Sequence, residues 1–213
     1  MMSDKPAPTR ATVFTVGHSN LELPDFLALI ARHGIEAIGD VRSMPFSRYT
    51  PQFNRDVLET ALKKANVRYV PLGKELGARR DEPECYIENK ARYDRIARAP
   101  LFLEGLDRVR SGAAKYRIAL MCSEKDPLTC HRTILVSRHL RSDLDVRHIL
   151  EDGALESADE AEDRLLKLLD LPAGDLFSDR EEFVKQAYEK QGDRIAFVRS
   201  AEETHAGSVE AAE

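Results

Sequence analysis

With 213 residues, 42% of them hydrophobic, the chain is long enough to bury a substantial core. No run of about eighteen apolar residues occurs, which argues against a membrane-spanning helix. The formal charge of −5 hides an asymmetry: residues 151–213 carry 18 acidic and 7 basic side chains, whereas residues 1–150 carry 25 basic and 19 acidic.

Residues 1–11 are polar, contain Pro6 and Pro8 and lack the apolar stretch of a signal peptide, so a flexible N-terminus is expected. Three cysteines, an odd number, make no disulfide framework and suit a reducing compartment, which points to the cytoplasm. Apolar runs rich in β-branched residues predict strands at 12–16, 37–41, 68–71, 117–121 and 146–149. Amphipathic spacing predicts helices at 23–33, 55–64, 93–110 and 128–141. Their alternation predicts an α/β fold over residues 12–150, a three-layer domain with a mainly parallel sheet of about five strands. Residues 72–89, with Gly73, Gly77 and Arg79-Arg80, form a long polar connection, either a lid or a plain loop, in which Cys85 is incidental. Beyond Leu150, helical spacing at 157–171 and 178–190 marks residues 151–200 as appended acidic helices, and 201–213 reads as a disordered tail.

The unusual residues follow the strands. Gly17-His18-Ser19-Asn20 ends the first, Asp40-Val41-Arg42 runs on through Ser43, Ser47, Arg48 and Tyr49, Leu72-Gly73 ends the third, and Cys122-Ser123-Glu124 ends the fourth. In an open parallel sheet these carboxyl ends share one edge, where ligands bind. His18 has two readings, a loop hydrogen-bonding group or an acid/base and ligand contact beside a close-packing glycine. Asp40 and Arg42, two apart in an extended strand, are either a structural ion pair or an Asp that orients an Arg toward a phosphate. Ser43 and Ser47 are turn formers or binding groups, not nucleophiles. Ser19, Arg48 and Gly73 join them as ligand-binding candidates. Phe46, Tyr49 and Phe53 could stack a base, though Phe53 suits a core equally well.

The densest stretch is Cys122-Ser-Glu-Lys-Asp-Pro-Leu-Thr-Cys-His-Arg132. Asp126-Pro127 has the form of a helix N-cap followed by Pro at the first helical position, which would put Cys130, His131 and Arg132 in the opening turns. Glu124 then reads as a catalytic acid or base, His131 as its polar partner, and Arg132 as an anion-fixing fork at a helix start. Two cysteines and two histidines could supply zinc ligands, but Cys-x7-Cys-His is no standard knuckle and neighbours on a helix diverge, so no metal and no cofactor are assigned. A Cys122 nucleophile lacks the loop such chemistry needs, and burial in the core is its plainer reading; Cys122 stays among the ligand-contact candidates.

Together, Gly17-His18-Ser19, Asp40-Val41-Arg42 with Pro45 and Ser47, Phe53, Leu72-Gly73 with Leu76-Gly77, and Cys122-x-Glu124-x-x-Pro127-x-x-Cys130-His131-Arg132 resemble the uncharacterised family numbered 488 among the domains of unknown function. The likeness spans residues 12–150. It implies a compact α/β domain with these blocks around one pocket and brings no activity, substrate or cofactor with it. Three functional classes stay open. The first is a hydrolase or transferase acting on a phosphate-bearing ligand such as a nucleotide or nucleic acid, with a Glu124/His18 proton carrier and Arg42, Arg48 and Arg132 as clamps. The others are a non-catalytic nucleotide or nucleic-acid binding module and a metal- or thiol-dependent protein. No membrane partner is expected, and the sequence is silent on oligomeric state.

Overall fold

The computed structural model describes residues 10–174 and 179–200. Residues 1–9 of the expected flexible N-terminus and the expected tail at 201–213 lie outside the described residues.

The body is an α/β domain on a six-stranded sheet. In chain order it contains β1 (Thr12–Gly17), α1 (Leu23–Arg32), β2 (Ala37–Asp40), α2 (Arg55–Lys64), β3 (Arg68–Pro71), α3 (Gly73–Leu76), the hairpin β4 (Tyr86–Ile87) and β5 (Lys90–Ala91), α4 (Tyr93–Ile96), α5 (Pro100–Ala113) and β6 (Ile118–Cys122). There follow a π-helical turn (Arg132–Ser137) running into α6 (Arg138–Leu140), β7 (Asp145–Ile149), β8 (Leu155–Ser157), α7 (Ala158–Leu168) and α8 (Arg180–Ile195). The strand order is β3-β2-β6-β1-β7-β8, parallel except for β8, which pairs antiparallel with β7. That antiparallel edge strand is the addition to the five strands expected.

The central strands are buried on both faces, which is why they read as nearly continuous apolar runs. One face packs Phe14, Phe26, Phe53, Leu58 and Leu62 beneath α1 and α2; the other packs Val13, Phe102, Leu106, Leu120 and Leu135 beneath α5 and the π turn. Each such side chain contributes about 1.5–3 kcal/mol of transfer free energy. The register fixes the site: Gly17 lies beside Cys122, and Asp40 lies beside Met121 and Pro71. The segments after β1, β2, β3 and β6 therefore leave the sheet level with one another.

Two expected helices are broken, each for a local reason. Pro100 can open a helix but cannot sit inside one, so the 93–110 pattern divides into α4 and α5. In the 128–141 pattern Asp126 does cap, accepting from the Leu128 N–H at 2.9 Å, but the capped turn is a short 3-10 helix over Pro127–Thr129. Cys130 then takes extended geometry, φ −129° and ψ 139°, before the chain re-enters a helix at His131. Cys130 is therefore not in an opening helical turn. The 72–89 connection is also more ordered than a plain loop, holding α3, a 3-10 turn and the first strand of the hairpin.

Helices α7 and α8 close a third apolar cluster, Leu165, Leu166, Val184 and Tyr188 against Leu128 and Ile134. Ser157 and Glu160 form a capping box that starts α7. After α8 the chain returns to the hairpin: the Ala91 N–H donates to the Phe197 carbonyl and the Arg199 N–H to that of Asn89, both at 2.8 Å. Among the described residues no helix is long and apolar enough to cross a membrane.

Candidate functional site

The site grows from the end of β6. Beyond Cys122 the chain crosses β1 so closely that a Cβ on Gly17 would lie 1.9 Å from the Glu124 carbonyl oxygen, so only glycine fits there. Arg132 holds this crossing from beneath. Fully buried, it donates to the carbonyls of Glu124 at 2.6 Å and Lys125 at 3.0 Å. Its guanidinium is thus a brace for the loop and does not border the cleft as an anion-fixing fork.

On that frame four side chains converge. The Cys122 and Cys130 sulfurs both lie within hydrogen-bonding reach of Glu124 Oε2, at 3.0 and 2.9 Å. His131 Nδ1 faces the same sulfurs at 3.7 and 4.0 Å, while its Nε2–H donates to the Val41 carbonyl at 3.0 Å. The four ligand-capable atoms lie within 4.8 Å of one another, with Glu124 the exposed member. The extended conformation of Cys130 makes this convergence: on a regular helix, Cys130 and His131 would diverge. Burial pushes the Cys122 thiol well above its usual range. Burial acts upward on Cys130 too, but the hydrogen bond from Cys122 and the charges of Arg132 and His131 outweigh it and bring that thiol well down. The pair thus carries one negative charge readily and resists a second.

Beside this cluster stands a second one. Asp40 Oδ1 accepts from the Arg42 backbone N–H and Nε, and Oδ2 accepts from Nη2 at 2.6 Å and from the Tyr69 hydroxyl at 2.8 Å. Arg42 Nη2 also reaches the Phe53 carbonyl, and Nη1 donates to His18 Nε2 at 3.1 Å. His18 stacks on the buried Phe53 ring at 4.2 Å between centroids. Burial and then the Arg42 charge lower its pKa to about 4, so it is neutral at physiological pH. The reading of Asp40 and Arg42 as a pair holds, with His18 as acceptor for the Arg42 edge.

A cleft of about 250 Å³ opens over the thiol cluster, bordered by Cys122, Glu124 and His131, and of the second cluster only Arg42 borders it, so the candidate His18 lies behind Arg42. The remaining candidates sit elsewhere. Ser47 Oγ accepts from the Tyr49 and Thr50 N–H groups and forms a turn. Ser19 hydrogen-bonds the backbone of Ser123 behind the loop, and Arg48 is exposed on the loop after β2. Gly73 allows close approach to the Arg42 carbonyl, 2.0 Å from where its Cβ would be. Phe46 and Tyr49 are exposed, whereas Phe53 belongs to the core.

Sequence reasoning missed three contributors. Arg79 borders the cleft, its N–H donating to Ser43 Oγ and its guanidinium lying 4.4 Å over the Phe197 ring. Tyr93 and Phe197 supply aromatic walls, the latter from beyond α8. No local motif marks them: pairing of residues 197–199 with the hairpin brings in Phe197, and Arg79 is placed by Ser43 and the Phe197 ring.

The family model described as domain of unknown function DUF488 matches residues 22–139, more than half of the chain. The chain belongs to this family. The DUF488 segment contains Asp40, Arg42, Arg79 and the whole Cys122-to-Arg132 stretch, while Gly17-His18-Ser19 precede it and Phe197 follows it. No curated protein and no solved structure matches the chain.

Proposed function

We propose that this DUF488 chain is an enzyme, a hydrolase or transferase, acting on a small phosphate-bearing ligand such as a nucleotide or the end of a nucleic-acid strand. The observation that carries the reading is one cleft in which a carboxylate and an imidazole, Glu124 and His131, stand next to the cations Arg42 and Arg79. Arg79, unlike Arg42, has no acidic partner among its hydrogen bonds and, unlike Arg132, borders the cleft, so it is the cation to fix a ligand's negative charge. Tyr93 and Phe197 would flank an apolar or aromatic part of the same ligand. Glu124, exposed at the rim, carries the proton. The cytoplasm remains the compartment we favour, in keeping with three free cysteines.

The test is a thermal-shift comparison of the full chain with inorganic phosphate, nucleoside mono- and diphosphates and short oligonucleotides. Ligand should raise Tm, and Arg79→Ala should remove most of the rise. No shift with any of these anions, or an unchanged shift in Arg79→Ala, would overturn the reading. A second reading, chemistry through a metal or a thiol, is favoured by the convergence of Cys122, Cys130 and His131 on one point.

A further inference from the structure

We infer that Cys122, Cys130, His131 and Glu124 form a binding site for one divalent transition ion of the zinc class. The inference goes beyond the enzyme reading: with an ion bound, Glu124 is its exchangeable donor, and it serves as a proton carrier only when released from the ion.

Ligand chemistry comes first. Two thiolates and an imidazole are the donors that select zinc-like ions over magnesium or calcium, which take oxygen. Geometry is the second argument. In a tetrahedral site with metal–sulfur bonds near 2.3 Å and metal–nitrogen bonds near 2.0 Å, donor atoms stand roughly 3.3–3.8 Å apart. His131 Nδ1 at 3.7 and 4.0 Å from the two sulfurs is close to that separation, too far for a strong hydrogen bond. Glu124 Oε2 at 3.0 and 2.9 Å stands closer to the two sulfurs and needs to retreat by a few tenths of an ångström once the ion enters.

The third argument is orientation. The Nε2–H of His131 is committed to the Val41 carbonyl, so Nδ1 is the ring nitrogen that faces the sulfurs and would take the ion in place of a proton. A backbone carbonyl behind a ligating histidine is the support metal sites use. Charge is the fourth. Two thiolates neutralise the ion, and the Arg132 guanidinium lies under the same loop, held on the backbone carbonyls of Glu124 and Lys125. The Arg132 N–H reaches Cys130 Sγ at 3.4 Å and further stabilises its thiolate form.

A core-cysteine explanation covers the burial of the two thiols but not the carboxylate oxygen and imidazole nitrogen that face both. Binding replaces the two thiol protons with the ion and releases them to solvent. Because Glu124 is the exposed donor and borders the cleft, its position is the exchangeable one, where water or a ligand oxygen would enter.

The experiment is a cobalt(II) titration of the full, reduced, chelator-treated chain, followed by displacement with zinc. Cobalt should saturate at one equivalent, with intense visible bands of a tetrahedral site and near-ultraviolet thiolate-to-cobalt charge transfer, and zinc should bleach both. Cys130→Ser should weaken zinc binding by at least about 100-fold and lower the charge-transfer intensity by about half. Loss of a buried thiol also disturbs packing, so Glu124→Gln, at an exposed position, is the second variant. It should keep the full two-thiolate charge transfer while zinc affinity falls about 10- to 100-fold. Three results would overturn the inference: no saturable binding by the native chain, zinc affinity unchanged in Cys130→Ser, or formation of a Cys122–Cys130 disulfide in place of metal uptake.

Discussion

Two polar clusters stand side by side at the carboxyl edge of the sheet, and they differ in how completely they are paired. In the first, Asp40 accepts four hydrogen bonds and every terminal nitrogen of Arg42 has an acceptor. Such a saturated network fixes a loop and has little left to give a ligand. In the second, two thiols share one carboxylate oxygen and an imidazole nitrogen points at both sulfurs without a close partner. Metal-binding atoms that converge on one point, with the imidazole nitrogen standing off from both sulfurs, are what a bound ion requires. The contrast separates a brace from a working site, although both contain charged side chains at the same level of the sheet.

Breaking the brace should cost the most. Asp40→Ala leaves the buried Arg42 guanidinium without its counter-charge, and stability should fall by about 3–5 kcal/mol in a urea or guanidinium melt. A loss under 1 kcal/mol would mean that Arg42 finds solvent and that the cluster is not closed. Gly17→Ala tests how the two clusters are joined. With a Cβ placed 1.9 Å from the Glu124 carbonyl, the crossing loop must move. We expect about 1–3 kcal/mol of destabilisation and weaker zinc binding, so a variant of native affinity would show that the loop does not position Glu124.

The same contrast explains what was legible in the sequence. Strand ends, the parallel order and the Asp40–Arg42 pair follow from spacing alone, because a two-residue separation in extended chain puts both side chains on one face. Cys122 and Glu124 were likewise placed by following a strand. The convergence with Cys130 was not, since it depends on one extended residue between a 3-10 turn and a π turn, where Asp126-Pro127 suggests an uninterrupted helix. Arg132 looked like an anion ligand for the same reason, and only the loop carbonyls above it reveal a brace. Arg79 and Phe197 meet through contacts over a hundred residues apart in sequence, beyond the reach of any local pattern.

A smaller effect concerns pH. His148, buried with Nδ1 against the Thr15 hydroxyl at 2.8 Å, belongs with the closed type of network, and burial followed by the Arg132 charge lowers its pKa to about 3. The unfolded chain therefore binds a proton at this residue in a range where the folded chain does not. Its contribution is fully present above the ordinary histidine value near 6.5 and is lost as the pH falls toward 3, by up to about 1.4 kcal/mol per pH unit. His148→Gln should flatten that acid limb of a stability–pH curve; an unchanged limb would show that other groups set it.

The most direct measurement of the open cluster is zinc-edge X-ray absorption on the zinc-loaded full chain. A first shell of two sulfurs at about 2.3 Å with nitrogen and oxygen at about 2.0–2.2 Å is the predicted result. A shell of nitrogen and oxygen alone, without sulfur, would contradict it.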